Sequence, residues 1–286
     1  SPPKSPPPGG PPDSLYTLEM MTSASLLLVL CAGTHAALPG ARAALSPPRP
    51  FPTHLHALRV RGGQSSMSAA LVAERICPAF GFVLSSALYC SPLPTLRESV
   101  KRGSIGSFNP LPSALMVIGT TSWLGYALSV RDPWIAVTNG PGTLVALYQL
   151  VTLLPLMRPG PQLRQFQATI LGGAACTTLL WARLIFAGVG AAARSRALGM
   201  YATVICIALF ASPLSTIATV VRTRDAASIL APLTVSQVAN CLMWTVYGVL
   251  AAKDPFVWGP NGTGLVLGLV QLALKLCFPS KEANSS

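Results

Sequence analysis

From about Ile76 onward the chain alternates long apolar runs with short polar connections, the runs falling at roughly 76–93, 110–129, 134–157, 166–190, 199–221, 229–251 and 256–278. Each is close to the about 20 residues that cross a bilayer core as a helix. Lipid offers no partners to backbone N–H and C=O groups, so a helix is the structure such segments must take. The pattern predicts an all-α membrane protein with seven transmembrane helices. Residues 1–66 differ, with recurrent prolines through Pro47, Pro48, Pro50 and Pro52 and no sustained apolar period. Within them Ser23–Gly33 is an apolar run of signal-peptide length, followed by an acid-free, Arg-containing stretch to Arg61. It reads either as a cleaved targeting sequence or as a disordered leader.

The apolar region repeats itself at a spacing near 120 residues. Ser91-Pro92-Leu93 returns as Ser212-Pro213-Leu214, Pro112 as Pro232, and Trp123-x-x-Tyr126 as Trp244-x-x-Tyr247. Asp132-Pro133 returns as Asp254-Pro255, and Asn139-Gly-x-Gly142 as Asn261-Gly-x-Gly264. Each copy holds three spans, so two copies joined directly would face opposite ways; the span at 166–190 restores a common orientation. The expected layout is therefore 3+1+3, with a first repeat over 67–157, a linker helix within 158–198, a second repeat over 199–279 and a tail at 280–286. Parallel repeats about an axis normal to the membrane bring matched residues together near the midplane, which is a transporter's geometry.

This ordered, doubled set of motifs resembles the SWEET family of sugar transporters over about residues 68–279. Parallel repeats are already known in that family. The resemblance implies a uniporter that moves sugars in both directions.

Asn139 and Asn261 lie inside the third span of each repeat, where an uncharged carboxamide offers donors and an acceptor to sugar hydroxyls. Asn also bonds neighbouring helices in membranes. The resemblance matches these two to the family's paired pocket asparagines. Trp123 and Trp244, mid-span, offer flat faces to a pyranose ring and match the family's pocket wall. Two bulky walls predict a monosaccharide such as glucose in preference to a disaccharide. Pro92, Pro112, Pro213 and Pro232 match the family's proline tetrad, read there as hinges; a proline in a helix is also a static kink. Tyr126 with Asp254, and Tyr247 with Asp132, match the pairs that close the outer gate in the family, although Asp-Pro is also an ordinary loop cap. Ala127 follows Tyr126 where the family usually has Gly, which puts close helix approach there in question.

The composition, 51% hydrophobic and 10% charged with a net charge of +12, fits lipid as the solvent. The Lys and Arg residues form no stripe for nucleic acid. They orient the bundle instead. Arg97, Lys101, Arg102, Arg158, Arg164, Arg222, Arg224, Lys275 and Lys281 fall on one side, against Arg131, Arg194, Arg196 and Lys253 on the other, which places the C-terminus in the cytosol. The seven Cys lack a C-x-x-C pair and the three His precede every span, so no disulfide framework, metal site or other cofactor is indicated. The eight acidic residues lie in the leader, in connections or near span ends, and no P-loop occurs, so neither a proton relay nor an ATP site drives transport. Arg183, inside the linker span, snorkels or pairs at an interface. A seven-helix receptor would not carry the repeat, a proton-coupled carrier of the same superfamily would want an acidic residue inside a span, and no constellation marks an enzyme. Gly264-x-x-x-Gly268 packs either within the chain or between copies of a homo-oligomer. The plasma membrane is favoured, with a plastid or other organelle membrane as the alternative that the leader opens.

Overall fold

The structure, a computed structural model, describes residues 64–278. The targeting-length run at Ser23–Gly33 and the tail at 280–286 lie outside the described residues. Every element among those described is helical. They are α1 (Gln64–Leu71), a π turn (Val72–Ile76), α2 (Cys77–Cys90), α3 (Leu93–Arg102), α4 (Leu111–Val130) and α5 (Pro133–Leu153), followed by a short 3₁₀ turn (Leu154–Leu156). Then come α6 (Pro161–Phe186), α7 (Ala191–Leu209), α8 (Ala211–Thr223), α9 (Ala231–Val246), a second π turn (Tyr247–Ala252) and α10 (Pro255–Cys277).

Among the described residues, six spans are long and apolar enough to cross a membrane: Ser68–Arg102, Leu111–Val130, Pro161–Phe186, Ala191–Thr223, Ala231–Ala252 and Pro255–Cys277. Helix α5 has the length, 21 residues, but its polar positions dilute its apolar character. Thr138, Asn139 and Gln149 are buried on it, whereas Val137, Leu144 and Val151 are exposed. The polar face of α5 thus points into the bundle, the reverse of a helix in water.

The first span runs further than its apolar core. Arg97, Lys101 and Arg102, expected in a connection, are helical in α3, because Leu96 and Ser99 are buried beneath that helix and Gly103, at φ +66°, ends it. Arg183 lies in the last turn of α6 with its side chain exposed, which places its charge at the helix end where the dipole favours a cation.

The two halves differ by one residue. Six positions separate Tyr126 from Asp132 and seven separate Tyr247 from Asp254, and the π turn Tyr247–Ala252 absorbs the extra one. Gly248 sits in that turn. A Cβ there would stand 2.7 Å from the Trp258 backbone nitrogen and 3.0 Å from its Cα, neither of which can rotate away. In the first half the matching residues are Ala127 and Ala136, both in one packed cluster, so a small residue opposite takes the place of the missing glycine. Gly248→Ala is expected to destabilise the protein by about 1–3 kcal/mol. Gly140→Ala, with nothing within 4 Å of its Cβ, is expected to be near neutral or stabilising. Thermal unfolding of the two variants in detergent compares them.

Gly264 and Gly268 are used within the chain. Their Cβ positions abut Cys241 Sγ at 2.8 Å and Val238 Cγ2 at 2.5 Å, so they bring α10 against α9.

Among the described residues, three apolar clusters hold the bundle together. One joins both halves at the tyrosine end, with Tyr126, Ala127 and Ile135 packed with Trp244, Tyr247 and Val257. At the opposite end there are two separate clusters. Leu96, Ile105, Ala114, Leu153, Met157 and Phe166 belong to the first half and α6, and Val220, Ala226 and Ile229 to the second half.

Candidate functional site

The tyrosine end is fastened by two crossed bonds. The Tyr126 hydroxyl donates to Asp254 Oδ2 at 2.5 Å, and the Tyr247 hydroxyl donates to Asp132 Oδ2 at 2.6 Å. The other carboxylate oxygen of each aspartate caps the helix that follows. Asp132 Oδ1 accepts from the Trp134 and Ile135 amides, and Asp254 Oδ1 from the Phe256 amide. Each aspartate therefore both accepts a tyrosine bond from the other half and caps its own helix. Burial pushes the Asp254 carboxyl above the ordinary carboxylate range, and its bonds from Tyr126 and Phe256 pull the other way.

Beneath these pairs lie the tryptophans, one turn earlier. Trp123 meets Tyr126 edge-to-face at 5.9 Å and Trp244 meets Tyr247 at 5.7 Å, so the W-x-x-Y spacing builds the same unit twice. The indoles roof a cavity of roughly 200 Å³. Trp123, Trp244, Asn139 and Asn261 all line it, converging from α4, α9, α5 and α10. No Asp, Glu, Lys, Arg or His is among its lining residues.

Each asparagine spends one amide hydrogen on its own helix, Asn139 on the Ile135 carbonyl at 2.9 Å and Asn261 on the Val257 carbonyl at 2.7 Å. These bonds aim both carboxamides. Prolines interrupt the same helices beside them, Pro141 two residues after Asn139 and Pro260 immediately before Asn261.

The two walls are chemically unequal. On one, Trp244 Nε1–H donates to Ser85 Oγ at 3.2 Å and Ser85 donates to Asn240 Oδ1 at 2.8 Å, a relay across the two halves that fixes the indole and leaves the Asn240 amide hydrogens to the cavity. The matching positions on the other wall are Cys206 and Gly119, and no partner among the described residues meets the Trp123 indole nitrogen. Tyr89 adds a second inequality, its hydroxyl donating to Asn139 Oδ1 at 3.3 Å, while its counterpart Phe210 leaves Asn261 Oδ1 unengaged. Ser85, Tyr89, Gln237 and Asn240 were not singled out from sequence. The available signal was a polar side chain at mid-span, the same signal that marks the two asparagines.

The four prolines divide into two kinds. Pro92 and Pro213 stand where the first span of each half breaks, between α2 and α3 and at the start of α8. Pro112 and Pro232 are second residues of α4 and α9, where the amide has no helical partner to lose. The latter pair start helices and remove no bond from them.

The comparisons follow the same outline. A profile described as "Sugar efflux transporter for intercellular exchange" matches residues 77–158 and 196–283. The bidirectional sugar transporter SWEET11 of Arabidopsis thaliana is 29% identical over 201 residues, covering 69% of this chain and 68% of that protein. The bidirectional sugar transporter SWEET12 of Oryza sativa subsp. japonica is 31% identical over 216 residues, covering 72% of this chain and 68% of that one. Among solved structures, a eukaryotic SWEET transporter superposes with a TM-score of 0.65 at 25% identity, covering 71% of this chain and 95% of its own.

Proposed function

Because the chain belongs to the SWEET family of sugar transporters, we propose that it carries a sugar in both directions across a membrane by facilitated diffusion, taking monosaccharides such as glucose. The observation that supports this most is the uncharged cavity lined by two tryptophans and two carboxamides. Sugar hydroxyls need donors and acceptors without charge, and the ring needs an apolar face. A volume of roughly 200 Å³ lies below the about 300–1,000 Å³ of sites for drug-sized ligands, which favours one sugar ring over two. With no carboxylate or histidine at the cavity, nothing there would couple passage to protons.

The repeats are the moving parts in this reading, arranged as 3+1+3 with α6 as linker. Asn139, Asn261, Trp123 and Trp244 bind the sugar. Tyr126–Asp254 and Tyr247–Asp132 close the outer end, and Pro92 and Pro213 bend the first spans. The charge bias places the tyrosine end outside, with the plasma membrane the favoured location.

Glucose uptake into vesicles containing the protein, compared with efflux from them and run with and without a proton gradient, tests the reading. Equal rates both ways at glucose concentrations well below saturation, and no accumulation, are expected. Concentration of glucose above the external level under a proton gradient would refute uniport. Trp123→Ala removes the wall whose indole is not fastened, and is expected to admit a disaccharide. Sucrose entry by wild type as fast as by the variant, and faster than glucose, would overturn the size argument.

A further inference from the structure

The first half contains a chain of hydrogen bonds that the second lacks. Pro92 has no amide hydrogen, so the Leu88 carbonyl loses its helical donor and is met by the Ser91 amide at 3.2 Å and the Ser91 hydroxyl at 2.8 Å. The next carbonyl, that of Tyr89, accepts from Gln149 Nε2 at 2.9 Å. Gln149 is wholly buried, at 0% exposure, and its Oε1 accepts from the Ser113 hydroxyl at 2.8 Å, one residue after Pro112. A single side chain on α5 thus bridges the break at Pro92 and the helix start at Pro112.

Tyr89 is held at its other end too, by its hydroxyl on Asn139. Asn139 and Gln149 are ten residues apart on α5, about 15 Å along the helix, so Tyr89 spans from the cavity to the break. The second half has matching positions but a different wiring. Phe210 stands for Tyr89 and has no hydroxyl, and Thr234 stands for Ser113 and bonds back to the Leu230 carbonyl of its own segment. Gln271 stands for Gln149 and reaches the Pro213 carbonyl at 3.4 Å, on the far side of the break.

We propose that Gln149 is a positioning residue that ties occupancy of the cavity, through Tyr89, to the bend at Pro92, so that the first half is the one that answers to the sugar. The proposal rests on the transport reading above. A sugar hydroxyl that engages Asn139 Oδ1 shares that oxygen with the Tyr89 hydroxyl, whose bond there is long at 3.3 Å and gives way first. Release of that bond frees the Tyr89 side chain, and the carbonyl of the same residue is what Gln149 holds at the break. The route consists of bonds between discrete partners, which gives it two arrangements, made and broken.

Glucose exchange per molecule in vesicles, together with glucose binding read by tryptophan fluorescence, tests this on wild type, Gln149→Leu, Gln271→Leu, Ser113→Ala and Tyr89→Phe. Gln149→Leu is expected to slow maximal exchange about tenfold with binding little changed, and Gln271→Leu to slow it far less. Ser113→Ala loosens Gln149 from one side only and is expected to act in the same direction, more weakly. Because Tyr89→Phe cuts the same chain, adding it to Gln149→Leu is expected to slow exchange no further. Equal slowing by Gln149→Leu and Gln271→Leu, or effects of Tyr89→Phe and Gln149→Leu that multiply, would overturn the proposal. Should Gln149→Leu fail to reach the membrane, the Ser113→Ala and Tyr89→Phe results decide it: unchanged exchange in both refutes the link. Wild-type vesicles that do not exchange glucose at all refute the transport reading and the proposal with it, whereas normal wild-type exchange beside unaffected variants refutes the link alone.

Discussion

Vesicles containing the Asn139→Ala, Asn261→Ala double variant are expected to exchange glucose no faster than vesicles without protein. After each asparagine has used one amide hydrogen on its own helix, Asn139 retains one hydrogen and one lone pair, and Asn261 one hydrogen and two lone pairs. Each hydrogen bond to an uncharged sugar is worth about 0.5–1.5 kcal/mol net. Loss of these five bonds removes about 2.5–7.5 kcal/mol, which is about sixtyfold or more in the stability of the bound state. The single variants should differ. Asn139→Ala also strands the Tyr89 hydroxyl, whereas Asn261→Ala strands nothing beyond itself, so Asn139→Ala is expected to be the more damaging. Exchange by the double variant at the wild-type rate per molecule would remove the asparagines from the site.

Tyr126→Phe combined with Tyr247→Phe is expected to open the tyrosine end. Both substitutions remove only a hydroxyl and leave Asp132 and Asp254 as helix caps, so the fold is retained. Hydrogen bonds to charged groups are worth about 1.5–3 kcal/mol each, so losing two shifts the balance between closed and open ends by about 3–6 kcal/mol, more than a hundredfold in population. Cys206 lines the cavity and supplies the readout. A thiol reagent that cannot cross the membrane, applied outside, should label Cys206 faster in the double variant than in wild type, and net exchange should fall because the shape with the outer end shut, which inward release requires, becomes rare. Cys206→Ser supplies the background. Unchanged labelling would show that the apolar cluster around the tyrosines holds that end without the two bonds.

The spans, the doubled motifs and the convergence of Asn139, Asn261, Trp123 and Trp244 on one cavity were legible because each leaves a local mark. A bilayer sets the length of an apolar run, and a repeat sets the spacing of its motifs. The inner wiring left no such mark. Helices surrounded by lipid are apolar almost all round, so the sequence period does not say whether Gln149 faces α4 or lipid. Nor does it tell that Ser85 of α2 reaches Asn240 of α9, 155 positions away. The prolines show the same limit. The four positions read alike from sequence, as hinges or kinks, yet Pro112 and Pro232 stand in the first turns of their helices and Pro92 at a break between two, a distinction that depends on where the preceding turn ends. At Arg97–Arg102, charge read as a connection, although an amphipathic helix needs only Leu96 and Ser99 turned inward to persist.

The apolar cluster common to both halves exists at one end of the bundle, and at the other end the halves keep their clusters apart. A passive carrier resting in that shape offers its site to one face of the membrane most of the time. Sugar arriving from the opposite face must wait for the rarer shape, and the half-saturating concentration on that face rises in proportion to its rarity. Thermodynamics forbids the imbalance from driving accumulation, so the maximal rate rises by the same factor and the ratio of the two constants is identical in both directions. Such a carrier saturates early in one direction and stays responsive to concentration in the other.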